Sequence, residues 1–131
     1  DSESDEETLL KISTQMSDII DSTRDVNKLK DIQNCVDALK NAHTVILFGV
    51  ESSNLFAHYM ANQLTKLGII CLISENYHTT IMQIENADDH SVCFLFSESG
   101  ETEEIIRVAS LSKSKGLKTI ALTRNIKNSF Y

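Results

Sequence analysis

VCFLFSESGETEEIIRVASLSKSKGLKTIAL, residues 92–122, decides the fold. It opens with an unbroken apolar run, Val92-Cys93-Phe94-Leu95-Phe96, as expected of a strand buried on both faces. After a polar loop, Ile105, Val108, Ala109 and Ser112 recur at helical spacing, and Gly116 stops that helix. Thr119-Ile120-Ala121-Leu122 is the next strand. A strand, a crossover helix and a second strand form a βαβ unit, which implies a parallel sheet with helices on its faces.

The same texture precedes it. Val45-Ile46-Leu47-Phe48 is another continuous apolar run, and Phe56, Tyr59, Gln63 and Leu67 then line one helical face, with Gly68 placed as the C′ residue. Ile69 to Ile73 reads as a strand, and His78 to Glu85 as a short helix. Residues 43–131 are therefore expected to form an α/β domain, a three-layer α/β/α sandwich of the flavodoxin or Rossmann kind. Residues 1–42 stand apart as a helical preamble. Ser4-Asp5-Glu6-Glu7 has the form of a capping box. Behind it Leu9, Ile12, Met16 and Ile19 make one apolar stripe on a helix ending near Asp21. A second helix is expected from Asp25, with Leu29, Ile32, Val36 and Leu39 at the same spacing. Two such seams suit a packing arm or connector; amphipathic helices covering their own domain fit equally well.

Composition narrows the function. The chain has 131 residues, 41% of them hydrophobic, and a net charge of −7, enough for one core. The charge gathers in residues 1–25, and the rest has no basic stripe of the kind nucleic acid demands. No apolar run reaches the roughly 20 residues that span a bilayer, and no signal peptide is expected. Cys35, Cys71 and Cys93 are odd in number and lie in apolar segments, which predicts buried free thiols, no disulfide framework, no zinc site and a cytoplasmic location. No cofactor is expected.

In a parallel sheet, ligands sit beyond the carboxyl ends of the strands. Two loops occupy that place, Gly49-Val50-Glu51-Ser52-Ser53-Asn54 and Ser97-Glu98-Ser99-Gly100-Glu101-Thr102. Each opens a helix with small hydroxyl residues, and free N–H groups at a helix N-terminus favour an anion. Gly100 permits a tight turn. Ser53 and Thr102 also fit as plain N-caps, so caps and an anion site both stand open on these grounds.

SESGET, residues 97–102, is similar to the S-x-S-G-x-T phosphate loop of sugar isomerase (SIS) domains. The first loop resembles their G-x-G-x-S loop, with Gly49 and Ser53 at its ends, and Thr119-Ile120-Ala121-Leu122-Thr123 resembles the family's fourth strand. The match spans roughly residues 40 to 124. The preamble from Glu6 to Ala42 looks most like the linker and first helix of RpiR-type transcriptional regulators, which carry an N-terminal helix-turn-helix domain absent from this sequence. The resemblance implies a phosphosugar held by the hydroxyls of Ser53, Ser97, Ser99 and Thr102, with Ser52 beside them and backbone N–H groups near Ser99 to Thr102, Gly100 included. It also implies that DNA is met only through the helix-turn-helix domain.

Two departures matter. Glu51 stands where the family has its second glycine. Its charge opposes a phosphate by about 1–3 kcal/mol at roughly 6–8 Å, against about 1.5–3 kcal/mol for each hydrogen bond to the anion. Neither loop contains Arg or Lys, so a phosphate would rest on neutral donors. Second, the chain stops at Asn125 to Tyr131, where relatives continue into another strand and helix. Either the sequence is cut there, or the domain is short and a partner covers its edge.

Three functions fit. A sensor domain of an RpiR-type regulator of carbohydrate metabolism needs only the loops and a lever, which the two preamble helices supply. A sugar-phosphate aldose–ketose isomerase needs an acid and a base; Glu75, Glu98, Glu101, His58 and His78 are available, but no Glu–His pair stands at a spacing that demands catalysis, and no catalytic residue is assigned. Glu51, Glu101 and His78 are read as candidate modulators of the site, Glu101 being also expected to be solvated and His78 standing near a helix start. A structural dimerisation module with inactive loops is the third, with Glu51 in its favour. A homodimer or higher homo-oligomer is expected under all three, and no membrane partner.

Overall fold

A computed structural model describes residues 3–124. The chain divides into two compact units, Asp1–Val36 and Asp37–Tyr131. The first holds helix α1 (Asp5–Val26) and the start of α2 (Leu29–Lys40). Ser4 caps α1, its hydroxyl accepting from the Glu7 N–H at 3.2 Å. The helix does not end near Asp21. Arg24 pairs with Asp21 and Asp25 at 3.5 and 3.2 Å, and the Thr23 hydroxyl donates to the Ile19 carbonyl. These local bonds carry the helix one further turn, until Asn27 stands extended and its side-chain amide donates to the Thr23 carbonyl. Asp25 therefore belongs to α1, and α2 starts four residues later. No residue of α1 is buried.

The second unit is the expected sandwich. Strands β1 (Thr44–Gly49), β2 (Ile70–Ile73), β3 (Ser91–Phe96) and β4 (Lys118–Leu122) form one parallel sheet in the order β2-β1-β3-β4. The central strands β1 and β3 are buried along almost their whole length, which is why they read as continuous apolar runs. Alternate residues feed two cores. Ile46, Phe48, Cys93 and Leu95 meet Ile84 of α4 (Tyr77–Glu85) and Ile105, Val108 and Ala109 of α5 (Glu103–Ser114) on one face. Val45, Leu47, Val92, Phe94 and Phe96 meet Ala57, Ala61 and Leu64 of α3 (Ser53–Lys66) on the other, together with Ala38.

Helix α5 buries the four residues its spacing selected, and the polar one is satisfied: the Ser112 hydroxyl lies 2.7 Å from that of Thr119 on β4. In α3 the face read from the large residues points outward instead. Phe56, Tyr59 and Leu67 are 64%, 65% and 77% exposed, while the small Ala57 and Ala61 face the sheet. The reason lies at Gly49. A Cβ there would stand 2.8 Å from the Ser53 carbonyl oxygen, so the helix start and β1 are too close for bulk between them. The thiols also differ from expectation: Cys93 is buried, but Cys35 and Cys71 are only half-buried, Cys71 because it lies on the edge strand β2. All three are free. Among the described residues no helix is long and apolar enough to cross a membrane. The terminal stretch 125–131 lies outside the described residues.

Candidate functional site at the carboxyl ends of the strands

The two loops follow β1 and β3, adjacent parallel strands, and so emerge side by side. Between them lies a cleft of about 270 Å³ lined by Ser52, Ser53, Ser97, Ser99 and Thr102, with Val50, Glu51, Glu98 and Arg124. Every hydroxyl singled out in the sequence is therefore brought to one place. Gly100 does not line the cleft; it is buried, and its φ of +72° turns the chain beneath it.

The hydroxyls are not spent on capping. Ser52, rather than Ser53, is the N-cap of α3, with helical φ and ψ and no side-chain cap bond. Thr102 is the N-cap of α5 and likewise makes none. Both have the position of a cap without its hydrogen bond, which leaves their oxygens for a ligand. Ser97, buried, accepts from the Gly100 N–H at 3.0 Å, and Ser99 accepts from the Glu101 N–H at 3.1 Å. A hydroxyl that accepts in this way keeps its own proton to donate. The backbone N–H groups are correspondingly less free than expected. Those of Gly100 and Glu101 are held by the serines, and those of Ser53, Asn54 and Leu55 donate to Val50, Glu51 and Ser52 carbonyls in a tight first turn. Ser97 and Ser99, which both line the cleft, keep hydroxyl protons to donate in place of those N–H groups.

Glu51 adopts φ +53°, the left-handed region that favours glycine. The family's glycine thus has a conformational reason, and this chain meets the same backbone demand with a side chain. Glu51 lies between the hydroxyl cleft and a second hollow of about 580 Å³, lined by Asn54, Glu75, Glu103 and Glu104 among others.

Three features escaped the sequence reading. Arg124, just beyond β4, lines the cleft and pairs with Glu98 at 2.9 Å, so the site is not restricted to neutral donors. The rule that directed attention to the ends of β1 and β3 would have reached Arg124 had it been applied to β4 as well. His58 Nε2 lies 3.5 Å from Glu75 Oε1, a Glu–His pair formed across 17 positions of sequence by α3 and the loop after β2. Spacing alone could not show it. Asn54 carries a buried carboxamide oxygen without a partner. The modulators fare unevenly: Glu101 is exposed and lines neither hollow, and His78, exposed in the first turn of α4 with its ring 5.3 Å from that of Tyr77, lines neither. No cluster of three or more His, Cys, Asp or Glu suited to a metal occurs among the described residues.

Similarity to known proteins agrees with this geometry. The SIS domain family matches residues 38–131. An uncharacterized HTH-type transcriptional regulator of Haemophilus influenzae is 30% identical over 90% of this chain and 41% of its own length. The regulator YbbH of Bacillus subtilis, also of HTH type, is 31% identical over 80% of this chain and 37% of its own. Among solved structures, the NanR protein of Vibrio vulnificus complexed with ManNAc-6P superposes with a TM-score of 0.84 at 25% identity, covering 92% of this chain and 46% of NanR. The chain thus spans less than half the length of these relatives. With both loops, the strand order and the matched residues in agreement, the chain belongs to the SIS domain family.

Proposed function

We propose that this chain is the phosphosugar-binding sensor domain of an RpiR-type transcriptional regulator of carbohydrate metabolism. The observation that carries the reading is the convergence of five hydroxyl side chains and Arg124 on one cleft, with the hydroxyls of Ser52 and Thr102 not used as caps. The HTH-type relatives and the sugar-phosphate complex of NanR support it. Ser52, Ser53, Ser97, Ser99 and Thr102 donate to the phosphate over the turn made by Gly100. Arg124 exchanges its Glu98 partner for the anion, a charge-assisted bond that offsets the repulsion from Glu51. Residues 1–42 act as the connector to a DNA-binding domain, and residues 43–131 as the sensor proper; DNA is met only through that other domain. The protein works in the cytoplasm as a homodimer or higher homo-oligomer, without a metal or cofactor.

The test is a titration with hexose, pentose and amino-sugar phosphates, read as a shift in melting temperature. A ligand at 100 times its dissociation constant stabilises by about 2.7 kcal/mol. The shift is expected from a phosphosugar, absent with the unphosphorylated sugar, and lost in Ser99→Ala with Thr102→Ala. No shift from any phosphosugar would overturn the reading and leave a structural module.

One observation favours the isomerase alternative. Glu75 lines the acidic hollow and is paired with His58, the kind of acid and base that isomerisation needs. Turnover of a bound sugar phosphate, abolished by Glu75→Gln, would replace sensor by enzyme.

A further inference from the structure

Glu51 keeps a side chain where the backbone favours glycine. Its φ of +53° is the one positive value at a non-glycine position among the described residues, and residues strained in this way cluster at ligand sites. Val50, Glu51 and Thr102 line both the hydroxyl cleft and the neighbouring hollow, so the two form one continuous depression. The cleft, about 270 Å³, falls below the roughly 300–1,000 Å³ usual for a ligand pocket, and a ligand anchored there extends into the hollow of about 580 Å³. That hollow is acidic. Glu51 comes from the loop after β1, Glu75 from the loop after β2, and Glu103 and Glu104 from the first turn of α5, and no Lys or Arg lines it. His58 already pairs with Glu75, and Arg107 with Glu103. Glu51 and Glu104 have no ion-pair partner among the described residues.

We infer that the hollow selects a phosphosugar bearing a protonated amine, with Glu51 and Glu104 as the groups that recognise the ammonium. The inference rests on the reading of the hydroxyl cleft as the phosphate site. First-turn glutamates are ordinary at a helix N-terminus, so Glu103 and Glu104 by themselves say nothing about a ligand. Two further observations do. Glu51 lies outside any helix and lines both spaces. Asn54, in the wall of the hollow, has a buried carboxamide oxygen without a hydrogen-bond partner, a penalty that a donor entering the hollow relieves. An ammonium carries three donors and no acceptor, and Glu51, Glu104 and Asn54 offer it three acceptors. A phosphosugar without the amine has nothing to set against the Glu51 carboxylate, which repels its phosphate. In an amino-sugar phosphate the two charges separate: the phosphate meets the hydroxyls and Arg124, and the ammonium meets the carboxylates. N-acetylation removes the positive charge and brings an acceptor carbonyl among the acids.

The experiment is calorimetric titration of the whole chain with 2-amino-2-deoxyhexose 6-phosphates of gluco, manno and galacto configuration, each beside its N-acetyl derivative and its parent hexose 6-phosphate. One free amine is expected to bind about 10-fold or more tighter than both of its counterparts, because a hydrogen bond to a charged group is worth roughly 10- to 100-fold in affinity. Glu51→Gln and Glu104→Gln keep the side-chain size and remove the charge. Each is expected to weaken the amine about 10-fold while the parent hexose phosphate binds as before or more tightly. Retained binding of the parent sugar also shows that each variant is folded. Binding of a phosphosugar without an amine as tightly as the best amine would overturn the inference and leave the sensor reading intact. Equal weakening of both ligands by Glu51→Gln and Glu104→Gln would do the same. Ser99→Ala with Thr102→Ala is expected to abolish both ligands alike, which reports the phosphate site separately. No binding of any phosphosugar would overturn the sensor reading and this inference together.

Discussion

Helices α3 and α5 are built on the same plan and use it in opposite ways. Each follows a central strand, starts at a hydroxyl residue without a side-chain cap bond and packs on the sheet. In α5 the apolar spacing and the buried face coincide, because Ile105 and Val108 fill the space between helix and sheet. In α3 they are opposed: alanines face the sheet, and the aromatic residues face out. The difference starts in the loops. After β3, Ser97 and Ser99 accept from the Gly100 and Glu101 N–H groups in a turn that passes through the positive φ of Gly100 before the helix starts. After β1, Gly49 lets the Ser53 backbone approach to a distance no side chain tolerates. Apolar periodicity identifies a helix; which face is buried depends on how close its first turn is brought to the sheet.

The sharpest way to break this comparison is truncation on the two helices. Ile105→Ala removes fully buried volume and is expected to cost about 3 kcal/mol in denaturant unfolding. Phe56→Ala, larger in atoms removed, is expected to stay within about 0.5 kcal/mol at concentrations where the chain is monomeric. Equal costs would mean that α3 is packed as α5 is. Next in size is Gly49→Ala, whose new methyl meets backbone atoms at 2.8–3.0 Å and is expected to destabilise by about 2–3 kcal/mol while disordering the hydroxyl cleft. Unchanged stability would remove the close approach as the reason for the inverted face.

Glu51→Gly sharpens the loop difference. Relief of the left-handed φ at a residue with a side chain contributes about 1 kcal/mol, partly offset by the greater freedom of glycine in the unfolded chain. The melting temperature is expected to rise slightly, and affinity for phosphosugars without an amine to rise with it as the carboxylate leaves the cleft. A fall in both would mean that Glu51 holds the loop by contacts of its own. The smallest effect near neutral pH concerns the core beneath β3. Burial pushes the Cys93 thiol up to about 12, with a smaller opposing contribution from the Ser112 hydroxyl. The folded state favours the neutral thiol, so its contribution is complete below the ordinary thiol range and declines as pH rises from about 9 towards 12. Unfolding free energy followed across that range should fall more steeply in the parent than in Cys93→Ala. Ellman's reagent on the native chain should modify Cys93 last of the three.

Much of the site was legible because it is written in local sequence. SESGET and the Gly49–Asn54 loop sit at strand–helix junctions that the apolar runs fix, and parallel pairing of β1 and β3 brings them together. Ser112 already marked the buried face of α5. Arg124 was passed over because no hydroxyl-rich or glycine-containing loop follows β4, and the His58–Glu75 pair because its members belong to different elements.

By itself, the sequence determined the element order, the parallel sheet, the two hydroxyl loops and the acidic preamble. These depend on period, chain punctuation and residue type, which act over a few neighbours. Only the tertiary structure decided that α3 turns its aromatic face outward, that the serines accept from their own loop's N–H groups and so keep their protons to donate, and that an arginine beyond β4 joins them. The first two depend on backbone geometry within a few residues, Gly49 against Ser53 and the serines against Gly100 and Glu101, which residue type alone does not specify; Arg124 joins from a separate segment through the pairing of β3 with β4.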